Sequence, residues 1–290
     1  MIFQLLASTL RVSTPLLFAA QGGLVSERAG VINIALEGLM LVGALGGAVG
    51  TLMTHSPWLG SLLGIAAGIA LAAVYGLCVI TLRANQIVAG TAINMLAMGL
   101  TPFVCKIVYD VTGSTPAIPI DERFLAAPFY LSWATVGLVW FCFKYTPAGL
   151  WAGFAGEHPE ALQAAGIRVN RVRWMAVLLS GALAAMGGVS LSVFLSSSFS
   201  RNMAAGRGFM ALAALIFGKW KPIPAALACL LFGFTEAVQI RLQGVSLWGH
   251  GPIPVQFIQI LPYLVTMLVL AGFVGRSRAP KALGVPFRKG

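Results

Sequence analysis

The chain has 290 residues, 58% of them hydrophobic and only 9% charged, with a mean hydropathy of +0.89 and a net charge of +11. An average soluble domain carries roughly 25% charged residues, so the composition excludes a soluble globular protein and points to one transmembrane domain over residues 1–290. Nucleic acid is not indicated as a partner, because the basic residues fall in short loops and the tail rather than in a stripe interleaved with aromatics.

Apolar stretches long enough for a bilayer core of roughly 30 Å predict helices near 10–25, 32–53, 58–81, 87–108, 128–144, 174–196, 209–218, 223–241 and 256–274. The expected fold is an all-α integral membrane bundle of about 8–10 transmembrane helices, with some of them short or broken. In the first stretch Arg11 interrupts the apolar run ahead of Ala19-Ala20 and no basic region precedes it. It reads as a membrane helix rather than a cleaved signal peptide.

The second stretch, SERAGVINIALEGLMLVGALGG (Ser26 to Gly47), places Asn33 and Glu37 at the head of a glycine-rich apolar run. Four residues apart, they share a face if the stretch is helical. A carboxylate within lipid must face the bundle interior, a water-filled path or a partner. Structural hydrogen bonding and a role in a path both stay open, as does neutralisation by Arg28 near the interface. Further on, Gly43 and Gly47, and Gly60, Gly64 and Gly68, recur at intervals of four, a spacing that lets helix backbones approach closely in lipid. Gln86 and Asn94 put polar groups into the fourth stretch, and Glu236 in FGFTEAVQIRLQG puts a carboxylate into the eighth, with Gln239 and Arg241 after it.

Signatures of soluble enzymes are missing. There is no Walker A pattern, no G-x-S-x-G and no H-E-x-x-H, while His55, His158 and His250 lie in separate loops. Cys78, Cys105, Cys142 and Cys229 sit in or near apolar stretches without C-x-x-C spacing. No catalytic residue, metal or cofactor is expected.

Lys and Arg collect in cytoplasmic loops. Placing 145–173 and the C-terminal tail inside puts most of the 19 basic residues there, among them Arg28, Arg83, Lys144, Arg168, Arg171, Arg173, Lys219 and Lys221. The other side keeps Arg11, Lys106, Arg123, Arg201, Arg207 and Arg241 together with Asp110, Asp121 and Glu122. A cytoplasmic C-terminus is therefore expected. Within the 145–173 loop, GEHPEALQAAGI predicts a short helix over 159–165, begun by Glu157 and Pro159 and ended by Gly166. Its face of Ala161, Leu162, Ala164 and Ala165 is small enough for a shallow groove on another protein.

That loop resembles the coupling segment of ABC importer permeases, with Glu160-Ala161 and Ala164-Ala165-Gly166 in its small-residue core. Together with SERAGVINIALEGLMLVGA and GRGFMALAALIFGKWKPIPAALACLLFGFTEAVQ, it makes residues 12–274 similar to bacterial permeases for nucleosides and simple sugars. That family also includes ribose-type and branched-chain amino acid permeases. The form of the first motif looks most like the shorter of two permeases in nucleoside importers.

The resemblance implies a subunit of the bacterial inner membrane that works with a second, non-identical permease, a cytoplasmic ATPase and an extracytoplasmic substrate-binding lipoprotein. It implies ATPase coupling through Gly156, Glu157, His158, Pro159, Glu160, Ala161, Ala164, Ala165 and Gly166. It also implies a translocation core that includes Asn33, Glu37, Gly38, Asn94 and Glu236. The rival reading is a gradient-driven secondary transporter with Glu37 or Glu236 as a proton site. Such a protein should carry an inverted repeat, and none is apparent in the sequence. A membrane-embedded enzyme would bring paired carboxylates, a metal cluster or an activated nucleophile.

Overall fold

The structure, a computed structural model, describes residues 2–242, Ile260, Leu264 and 278–287. In chain order the helices are α1 (Ile2–Arg28), α2 (Leu36–Thr54), α3 (Pro57–Gly76), α4 (Gln86–Tyr109), α5 (Ala127–Tyr145), α6 (Pro147–Glu157), α7 (Pro159–Ala164), α8 (Val169–Val189), α9 (Arg207–Phe217) and α10 (Pro222–Leu242). Helix α3 continues as a π-helical turn over Leu77–Thr81, and α8 as another over Ser190–Leu195. Among the described residues, seven helices are long and apolar enough to cross a membrane: α1, α2, α3, α4, α5, α8 and α10. The all-α bundle expected from hydropathy is the one observed. The expected helix over 256–274 lies outside the described residues.

Local chemistry sets the helix starts. Proline occupies the first turn of α3, α5, α6 and α7, where its missing N–H costs nothing and its fixed φ suits the helix. Asn85 caps α4, its side-chain oxygen accepting from the N–H groups of Ile87 and Val88 at 2.9 and 3.2 Å. Two expectations need correction. The 145–173 segment holds two helices rather than one, because Thr146-Pro147 starts α6 directly after α5. The second stretch becomes helical only at Leu36, so Asn33 lies in the connection before α2 and shares no helix face with Glu37.

Close glycine contacts hold α2, α3 and α8 together. A side chain at Gly188 of α8 would place its Cβ 1.8 Å from the Met40 carbonyl of α2, and one at Gly43 would come 2.4 Å from the Ala185 carbonyl. The four-residue glycine spacing is thus a packing seam. Gly188→Val is expected to force α2 from α8 and destabilise the protein by about 3 kcal/mol, read as a lowered Tm in detergent. Gly99 faces open space, and Gly99→Val should leave Tm nearly unchanged. Equal effects at the two sites would contradict the seam.

Helices α1 and α8 run antiparallel. Arg11 of α1 reaches the Phe194 carbonyl at the far end of α8 at 2.9 Å, and Arg173 near the start of α8 approaches the Gly30 turn that follows α1. Each is followed by a non-helical stretch, 29–35 or 196–206, and then by a helix that begins inside the bundle, α2 or α9. The N-termini of α2 and α9 meet at Glu37. Glu37-Gly38-Leu39-Met40 and Arg207-Gly208-Phe209-Met210 are the matching starts.

Candidate functional site

The site grows from the break after α1. Gly30, at φ +90°, turns the chain, and Ser26 closes the turn with its hydroxyl on the Val31 carbonyl at 2.8 Å. Residues 29–35 then run into the protein interior, where every backbone polar group needs a partner from the protein. Side chains supply them. Gln86 accepts from the Ile32 N–H at 2.8 Å, and the Tyr75 hydroxyl donates to the Ile32 carbonyl. Asn94 donates to the Ile34 carbonyl at 2.9 Å and accepts from the Gly38 N–H at 2.8 Å. Asn33 donates to the Ser180 hydroxyl at 2.8 Å, while its own side-chain oxygen is buried with no partner among the described residues.

Glu37 stands at the meeting point of the two half-buried helices. One carboxylate oxygen accepts from the Gly206 N–H at 2.8 Å and the other from the Gly208 N–H at 2.7 Å. These are free donors at the N-terminus of α9, where the helix dipole favours a negative charge. The carboxylate therefore caps a helix that is far away in sequence. Gly208 is required here, because a Cβ would lie 2.4 Å from the Glu37 backbone nitrogen. Gly38 is equally confined, its Cβ position lying 3.0 Å from the Asn94 Cα. Asn94 is eight residues into α4, and α9 has eleven residues. At 1.5 Å per residue this puts the junction roughly 12–16 Å inward from the end of the molecule that carries Trp220 and Gln86.

The other end of α9 is also held by a carboxylate, with Trp220 donating its indole N–H to Glu27 of α1 at 2.6 Å. At the Glu37 end of α9, its first residue Arg207 pairs with Glu236 of α10. Glu236 and Arg207 line a cavity of 300 Å³ with Ser8, Arg11 and Arg241. Of the core residues expected from the sequence, Asn33, Glu37, Gly38 and Asn94 come together around one junction, while Glu236 belongs to the adjoining ion pair. Sequence reading missed Arg207, Glu27, Trp220, Tyr75 and Ser180. Glu27 and Trp220 were present in the quoted motifs, but their pairing spans nearly two hundred residues.

A second surface is built by α6 and α7. Leu162 is buried against Ala155 and Val169, so it anchors α7 and is not displayed with the alanines as the sequence suggested. Gly156 is buried too, its Cβ position 2.3 Å from the Arg28 carbonyl. Pro159 is half-buried, whereas Glu157, His158, Glu160, Ala161, Ala164, Ala165 and Gly166 are exposed. Gly166, at φ +82°, ends the helix. The segment 278–287 packs on the same end. Ala282 donates to the Gly156 carbonyl at 2.7 Å, Gly284 to the Gly30 carbonyl at 3.1 Å, and Arg173 to the Val285 carbonyl at 2.8 Å. Contacts thus run from Leu162 through Ala155 and Gly156 to the Gly30 turn, and along 29–35 to Glu37.

Nothing in these two places assembles a nucleophile with a base. The arrangement is one of a tied junction between the N-termini of α2 and α9 and an exposed, small-residue helix connected to it. The family described as branched-chain amino acid transport system / permease component matches residues 5–270. The guanosine ABC transporter permease protein NupQ of Bacillus subtilis (strain 168) is 38% identical, over 98% of this chain and 96% of its own length. The nucleoside ABC transporter permease protein NupC of Lactococcus lactis subsp. cremoris is 36% identical over the same shares. The guanosine ABC transporter permease protein NupP of Bacillus subtilis is 22% identical, over 92% of this chain and 81% of its own length.

Proposed function

The chain belongs to the branched-chain amino acid transport system / permease component family, and from that membership we propose that it is the permease subunit of an ATP-driven importer whose solute is a nucleoside. It is a multi-pass membrane protein and a transport component rather than an enzyme. The observation that carries the reading is the exposed face of α7, anchored by buried Leu162 and linked through Gly156 to the break before α2. Nucleoside as solute rests on the names of the relatives NupQ and NupC, and a simple sugar is the next choice. That Bacillus subtilis has two differing relatives, NupQ and NupP, supports pairing with a second, non-identical permease.

In this reading an ATPase subunit docks on Glu157, His158, Glu160, Ala161, Ala164, Ala165 and Gly166, with Gly156 and Pro159 holding the segment's shape. A binding lipoprotein delivers solute from the opposite face of a bacterial inner membrane. The basic end with α6, α7 and 278–287 is cytoplasmic, in keeping with the excess of Lys and Arg there, and so is the C-terminus. ATPase closure moves α7, and the displacement reaches the Glu37 junction through the Gly30 turn. The helices around the junction then exchange which side of it is open. Asn33, Glu37, Gly38, Asn94 and Glu236 lie in that moving core. Glu37 caps a helix and Glu236 is paired with Arg207, which disfavours either as the proton carrier of a gradient-driven transporter.

The test is to purify the tagged chain from native membranes in mild detergent, identify stoichiometric partners by mass spectrometry, and assay nucleoside uptake in proteoliposomes. An ATPase and a second permease should co-purify, and uptake should require ATP. A chain that comes out alone and transports in ATP-free vesicles would overturn the reading.

A further inference from the structure

We infer that the α5–α6–α8 face binds one anionic phospholipid, with its phosphate at Arg168 and Arg171 and an acyl chain in the adjoining groove. Two cavities meet here. One, of 570 Å³, is almost wholly apolar and is lined by Leu138, Phe143, Ala148, Leu179 and Ala182. The other, of 310 Å³, carries Arg168 and Arg171. They share Trp151, Val172 and Met175, so a single molecule can occupy both.

The sequence of α8 has the polarity that such a ligand requires. Arg168 is the N-cap of α8, and positions 171, 175, 179 and 182, spaced by three or four, continue from it as one helical stripe. The stripe reads Arg, Arg, Met, Leu, Ala. From Arg171 to Ala182 it rises roughly 16 Å, close to one leaflet of a bilayer core of roughly 30 Å. Trp151, 40% exposed, stands where the two cavities join, at the depth where tryptophan is enriched in membranes. Both arginines are exposed, and among the described residues neither has an acidic partner. Two unpaired cations above an apolar furrow match a headgroup phosphate above its own acyl chain. A zwitterionic lipid would bring its own cation to the same place and gain less. The site adjoins α7, and its existence does not depend on which solute is carried.

The experiment reconstitutes the full-length chain, extracted with whatever subunits accompany it, into nanodiscs of phosphatidylcholine with or without phosphatidylglycerol. Native mass spectrometry then reads the lipids retained on the released chain. The wild type should keep one phosphatidylglycerol in preference to phosphatidylcholine. R168Q/R171Q should lower that preference by about 30-fold, the factor expected for two cations at an anionic surface. A148W, which fills the groove from exposed Ala148, should reduce retention of both lipids. Equal retention of the two lipids by the wild type would overturn the inference. So would undiminished phosphatidylglycerol on R168Q/R171Q, and loss of an ATPase subunit from that variant with its lipid unchanged would reassign the arginines to the subunit contact.

Discussion

Glu37→Ala is expected to lower the Tm of the detergent-solubilised protein by about 10 °C and to abolish uptake. The carboxylate accepts from the Gly206 and Gly208 N–H groups at 2.8 and 2.7 Å. Hydrogen bonds to a charged group contribute roughly 1.5–3 kcal/mol each, and a donor left unsatisfied in a buried site carries its own penalty. The expected loss is therefore about 3–5 kcal/mol, a large fraction of a typical stability of about 5–15 kcal/mol. Water cannot easily replace the acceptor, because Glu37 is only 5% exposed. Glu37→Gln keeps one acceptor oxygen and loses the charge, so it should lie between wild type and alanine. The comparison also separates the two roles that a carboxylate can have at this point. If Glu37→Gln is nearly as stable as wild type but transports nothing, the charge acts on the solute path as well as on α9. If Glu37→Ala leaves Tm unchanged, the junction between α2 and α9 is not held as described.

The second large effect is on coupling. Ala161→Trp and Glu157→Arg should each reduce ATP-dependent uptake by about 100-fold, or about 2.7 kcal/mol of lost coupling, while leaving membrane insertion and Tm close to wild type. Both side chains are exposed, Glu157 having only a long hydrogen bond from the Lys281 N–H at 3.5 Å and an attraction to Arg28, and exposed substitutions usually change stability by no more than about 0.5 kcal/mol. Leu162→Ala is the contrast. Leu162 is 4% exposed and packs on Ala155 and Val169, so its truncation should destabilise the segment by about 2–4 kcal/mol. Its loss of uptake would then be accompanied by a lower Tm, measurable by intrinsic fluorescence. Normal uptake by well-inserted Ala161→Trp and Glu157→Arg would remove α7 from the coupling role.

The sequence by itself determined the membrane setting, the long helices as far as α10, and the short helix expected over 159–165 and found over Pro159–Ala164. These follow from local causes: runs of apolar residues matched to bilayer thickness, prolines suited to the first turn of α3, α5, α6 and α7, and Gly166, whose left-handed φ ends a helix. Long motifs likewise carried the family, because they keep residue identity over adjacent positions. The meaning of Glu37 was different. Its partners Gly206 and Gly208 lie about 170 residues away, and no spacing rule along the chain brings the start of α9 to the start of α2. The same holds for Glu27 with Trp220 and for Arg207 with Glu236. Asn33 was assigned to a helix because its neighbours are apolar. Only the tertiary structure, by offering Gln86, Tyr75 and Asn94 to the backbone of residues 29–35, let that stretch stay non-helical inside the bundle. Burial demands that each polar group find a partner, and which partner is close enough was decided by the packing of α1, α2, α8 and α9 against one another.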